Sequence, residues 1–192
     1  MEKVLIALLS TNFLISCDVD TKNNKVQTEK VQTEENITVP DEDFVLSPID
    51  SSKNILIHSR LFIGVIMDKS IESDSNSFTP IVPEIIQAEE VLNKCLYTDK
   101  IDTDGIDINV NELREPNKYI RQYFGRINEK GQRTIYINCL HLKITQYLSD
   151  TGQGRRWERG KVSFEDGGNN FFDVLINLDT KSCSGFSING LA

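Results

Sequence analysis

The sequence predicts an α+β protein, with one main helix packed on a curved antiparallel sheet of four to five strands. Three observations carry the prediction. Apolar residues recur at helical spacing in one segment, Pro83 to Tyr97. Further along, Tyr119–Ile127, Arg133–Leu142, Asn170–Leu178 and Gly185–Ala192 alternate apolar and polar residues and are joined in pairs by turn residues. The resulting order is strand, helix, then two hairpins, and one helix laid across one sheet face satisfies every apolar surface at once.

Each element has a local cause. Asn54 to Met67, "NILIHSRLFIGVIM", is dense in Ile, Leu, Val and Phe and reads as a strand or a bent pair of strands. A Ser/Asp/Asn-rich loop, Asp68 to Thr79, follows it. Pro83 then suits the first turn of a helix, where a missing N–H costs nothing. Within that helix Ile85, Ala88, Leu92, Cys95 and Leu96 form one apolar stripe, and Glu84, Glu89, Glu90 and Lys94 fall mainly on the other side. Gly131, inside Asn128–Gln132, supplies the positive φ that a hairpin turn demands. In the second hairpin Phe172, Val174, Ile176 and Leu178 share one face while Asp173 and Asn177 mark the other, the pattern of a sheet covered on one side. The closing turn is centred on Asp179–Ser184.

This order resembles the cystatin-like fold, which NTF2-like and PepSY-type domains approach. The segments Tyr119–Leu140, Phe164–Leu178 and Phe186–Ala192 are also similar to those of small bacterial secreted proteins. That resemblance implies a fold and brings no activity with it.

The amino terminus points to an address. Met1-Glu2-Lys3 precedes an apolar run that is too short to span a bilayer. It ends in Leu14-Ile15-Ser16-Cys17, which resembles the bacterial lipobox. The resemblance implies a signal peptide over residues 1–16, cleavage after Ser16, and a lipid on the Cys17 thiol whose acyl chains anchor the protein in a membrane of the bacterial cell envelope. Residues 17–43 contain no aromatic side chain and repeat Lys25–Glu29 as Lys30–Glu34, so they read as a solvated tether. One domain, residues 44–192, follows.

A formal net charge of -8 argues against nucleic acid as a partner. With Cys17 set aside, Cys95, Cys139 and Cys183 allow one disulfide and leave one thiol. Cys95 on the helix stripe and Cys139 on a strand are the candidate pair, on condition that their Cα separation permits it. No residue pattern calls for a metal or a cofactor. With Gly105 at the sixth place of a calcium loop, Lys100 and Asn111 stand where the first ligand and the bidentate Glu belong, so Asp99–Asp107 reads as an exposed acidic turn.

Two kinds of function remain. Ser149–Asn170 carries the single tryptophan with Arg155, Arg156 and Arg159, residue types that anchor interfaces, so Arg155, Arg156, Trp157 and Arg159 form the candidate interaction loop. This favours a non-catalytic binding or interaction module for an envelope protein or a small ligand. The alternative is a small enzyme with an NTF2-like cleft between helix and sheet, for which His141, Arg121, Tyr123 and Glu112 are the candidates. Cys139 and His141, two apart on one strand, stand about 6.5–7 Å from each other and do not make a nucleophile–base pair.

Overall fold

A computed structural model describes residues 44–98, 113–163 and 167–189. Cys17 with its tether, the acidic segment Asp99–Asp107 and Glu112 lie outside them.

The described residues form an α+β fold around one eight-stranded, mostly antiparallel sheet. Its strands are β1 (Val45–Pro48), β2 (Ile55–His58), β3 (Ile63–Ile66), β4 (Ser77–Phe78), β5 (Tyr119–Ile127), β6 (Arg133–His141), β7 (Gly168–Asn177) and β8 (Ser182–Asn189). The spatial order is β1-β2-β3-β5-β6-β7-β8, with the short β4 paired to the far end of β5. Eight strands exceed the four to five expected. Asn54–Met67 is a bent pair, β1 adds an edge, and β4 lies within the stretch read as a loop.

One pairing departs from the expected antiparallel pattern. β3 and β5 run parallel, with Ile63 opposite Ile120 and Ile66 opposite Tyr123. Parallel neighbours need a long crossover, and the helix α1 (Val82–Thr98) lies within it. The Glu84 carboxylate accepts the N–H of Ile81 at 3.0 Å and so satisfies a donor that the helix start leaves over. Ile85, Ala88, Leu92, Cys95 and Leu96 are buried as the stripe predicted, together with Val91. They pack on Ile57, Ile66, Ile135, Ile137, Val174 and Ile176 across the first sheet face.

The β5–β6 hairpin turns where Gly131 placed it. Gly131 has φ 75°, and the Asn128 side-chain oxygen accepts the N–H groups of Lys130 and Gln132 at 3.0 and 2.9 Å.

The second face is covered as well, against expectation. Leu142–Asp150 is a helix, α2, started by His141, whose Nδ1 accepts the Lys143 N–H at 3.1 Å. Leu148 from α2, with Trp157 and Val162 from the chain beyond it, covers Val65, Met67, Ile120, Phe124, Leu140 and Phe171. Side chains of β5–β7 are thus sorted by parity into two cores.

The disulfide differs too. Cys95 bonds to Cys183, with Cα atoms 6.5 Å apart, and Cys139 is a free, buried thiol. α1 lies against β7 and β8, which brings Cys183, opposite Ile176, to the helix. Cys139 sits mid-sheet between Arg121 and Phe172 instead.

Candidate functional site

Three places collect the residues singled out in the sequence. The first lies between α1 and the sheet. Arg121 Nε stands 2.8 Å from Glu89 Oε1, and the Tyr123 hydroxyl donates to that same oxygen at 2.9 Å. Arg121 also donates from a terminal nitrogen to the Tyr119 carbonyl at 3.0 Å and lies against the Phe62 ring. Glu89 is a correction: its side chain is only 14 % exposed and faces the sheet rather than solvent. Burial pushes the Glu89 carboxyl up, against the pull of Arg121. Burial likewise raises the Tyr123 hydroxyl well above its ordinary value, and the charge of Glu89 adds to this. The Cys139 thiol, cross-strand from Arg121, is raised by burial in spite of that guanidinium, which keeps it protonated and a poor nucleophile. Glu89, Arg121 and Tyr123 thus form a buried cluster around one carboxylate oxygen.

His141 does not join them. Its Nδ1 caps α2, and its ring meets Tyr119 edge-on at 5.3 Å. Of the enzyme candidates within the described residues, the structure brings together Arg121 and Tyr123, with Glu89 as the partner that sequence reasoning missed.

The second place is the arginine-bearing segment. Trp157 is 7 % exposed and belongs to the second core, so it is no exposed anchor. The segment is held by amide side chains from the sheet. Gln122 Nε2 donates to the carbonyls of Trp157 and Gly160 at 2.6 and 2.7 Å, and its oxygen accepts the Val162 N–H at 3.1 Å. Asn138 Nδ2 donates to Gln122 Oε1 and to the Val162 carbonyl, both at 2.8 Å. Asn54 Nδ2 donates to the Glu158 carbonyl at 2.8 Å. Arg155 forms an ion pair with Glu158, and Arg156 donates to the Gln153 side-chain oxygen at 3.2 Å. Arg159 is exposed. The tryptophan therefore serves the fold, and Arg155, Arg156 and Arg159 all stand at the surface, Arg155 paired with Glu158.

The third place was not anticipated. At the end of the sheet where β3 and β5 begin, a cleft of about 130 Å³ opens between the β2–β3 turn and the start of α2. Phe62, Tyr119 and Ile120 form its floor, and Leu61 and Leu142 stand at its sides, 53 % and 42 % exposed. His58, Arg60 and Asn117 also line it. The one sequence signal was Leu61, an apolar residue between polar Arg60 and the strand core, at the tip of the bend in Asn54–Met67.

Among the described residues no group of His, Cys, Asp and Glu is placed to hold a metal ion. Comparison of the chain with protein-family models, curated proteins and solved structures finds no match.

Proposed function

We propose that the chain is a bacterial envelope lipoprotein, anchored in a membrane through acylated Cys17 and carrying a non-catalytic binding module. The observation that supports a binding module is the contrast between two places. The ionisable groups between helix and sheet pair with one another, whereas apolar Leu61 and Leu142 stand exposed beside an open cleft. An apolar recess with a few polar groups at its edge is the usual form of a ligand site. The Cys95–Cys183 disulfide supports an oxidising compartment, as export to the envelope requires. Among the described residues no helix is long and apolar enough to cross a membrane. The partner side is an envelope protein or small ligand, and the net charge of -8 disfavours nucleic acid.

The fold reading extends this. The β5–β8 meander with α1 across one face supports a cystatin-like arrangement, to which the β1–β3 segment and α2 would be additions. The parallel β3–β5 step is its departure from that pattern.

The test is intact mass and detergent partitioning of the expressed protein beside a Cys17→Ala variant. A diacyl or triacyl mass on a chain beginning at Cys17, lost in the variant, supports the anchor. A soluble, unlipidated product from a lipoprotein-processing host would end this reading of the address.

A further inference from the structure

We propose that the cleft between the β2–β3 turn and α2 binds the carboxyl-terminal residue of a peptide, with a side chain of the leucine or phenylalanine class seated between Leu61 and Leu142. The inference rests on the binding-module reading and names the chemistry of its ligand.

Volume sets the size of the occupant. About 130 Å³ is close to an apolar protein cavity of about 150 Å³ that accommodates benzene. That is room for one branched aliphatic or aromatic side chain and little more. The floor of Phe62, Tyr119 and Ile120 offers such a group continuous apolar contact.

Charge sets the rest of the ligand. His58 and Arg60 are exposed at the cleft, and neither enters a salt bridge among the described residues. In a chain of net charge -8, the Arg60 guanidinium beside an apolar recess matches an occupant with an apolar side chain and an adjacent carboxylate. Arg can grip a carboxylate through two parallel hydrogen bonds. A free amino acid would bring its ammonium to the same guanidinium. An acylated nitrogen avoids that repulsion, which favours a peptide terminus over the free amino acid.

The turn that presents these groups is already ordered. Ser59 Oγ accepts the N–H groups of Leu61 and Phe62 at 3.1 and 3.0 Å, and the Ser59 N–H donates to the Phe62 carbonyl at 2.9 Å. Arg60 and Leu61 are therefore held at the tip of a closed loop, and little entropy is left to lose when a ligand binds.

The test uses ¹⁵N-resolved titration of the protein with a hexapeptide ending in Leu, its C-terminal amide, and N-acetyl-leucine. The free-acid peptide should give saturable shifts at the amides of Leu61, Ile63 and Asn117, with a dissociation constant roughly in the millimolar range or below for so small a contact. Its amide should bind at least about fivefold more weakly, the loss of a charge-assisted contact. Arg60→Gln should weaken the acid by a similar factor and leave the amide unchanged, while Leu142→Asp should weaken both. Both sites are exposed, and an unchanged unfolding midpoint shows each variant is folded. Acid and amide binding alike, or no localised shifts at tens of millimolar, would overturn the proposal. N-acetyl-leucine matching the peptide would overturn the peptide assignment. None of these results alters the mass of the processed chain, so failure here and failure of the lipoprotein reading are told apart.

Discussion

Glu89 on α1 and Arg121 on β5 meet at 2.8 Å inside the helix–sheet interface, and the hydroxyl of Tyr123 closes on the same carboxylate oxygen. The pair joins the helix to the middle of the sheet in a place where water does not compete. Removing one partner strands the other in a low-dielectric setting. Glu89→Leu and Arg121→Met should each lower stability by about 3–5 kcal/mol, and the double variant should regain most of that loss. A double-mutant cycle by urea denaturation measures it; additive losses would show that the two side chains do not act as a pair.

The Cys95–Cys183 bond closes a loop with a sequence separation of 88 residues. Chain entropy alone assigns such a closure about 4–5 kcal/mol. Cys183→Ser should therefore lower the unfolding midpoint sharply under non-reducing conditions. Added reductant should lower the parent protein to the same level and leave the variant where it is. Cys139→Ser, by contrast, should respond to reductant as the parent does.

Gln122 holds three backbone groups of the segment that carries Trp157. Gln122→Leu keeps the volume and leaves those groups without their partner. The expected cost is about 2–3 kcal/mol, since each buried polar group loses a hydrogen bond that water does not replace. Fluorescence reads the local effect directly, because Trp157 is the only tryptophan. Its emission should shift to the red as the segment loosens.

Asp68 has its carboxyl held below the ordinary range, first by the Ser70 hydroxyl and N–H, and further by Thr79. A depressed folded-state value means that the ionised form stabilises the fold. That contribution is complete above the unfolded value of 3.8 and fades as pH falls through the lower folded value. Asp68→Asn should thus be less stable than the parent at neutral pH, with a difference that shrinks progressively below pH 3.8. A carboxyl ¹³C titration gives the folded value.

What the sequence made legible was whatever depends on near neighbours. The α1 stripe, the Asn128–Gln132 turn and the bounds of β5 follow from side-chain period and turn chemistry within a few residues. Strand direction is not encoded there: alternation in β3 and β5 is the same whether they run parallel or antiparallel. α2 was missed because "LKITQY" holds Ile, Thr and Tyr, which favour strands, and because its cap is a histidine rather than Ser, Thr or Asp. Glu89 was misplaced because charge was taken as an address, although Arg121 opposite it supplies the compensation that permits burial. Cys183 was assigned to a turn, and only the β7–β8 register shows it reaching α1. The cleft depends on Leu61 and Leu142, far apart in the chain, meeting at one end of the sheet.

The parallel β3–β5 pairing also sets the order in which the molecule can assemble. The β5–β6 and β7–β8 pairings close short turns and can form early, while β6 and β7 meet across residues 142–167. The β1–β3 portion can join only when Ile63 finds Ile120 across a connection that includes the whole of α1. Contacts of that span arrive late, so truncations in β3, such as Val65→Ala, should mainly speed unfolding and barely change the folding rate. The turn bearing Arg60 and Leu61 belongs to this late-arriving portion. The cleft is therefore completed only by the last step of folding, and a chain caught short of that step would present the meander without the recess.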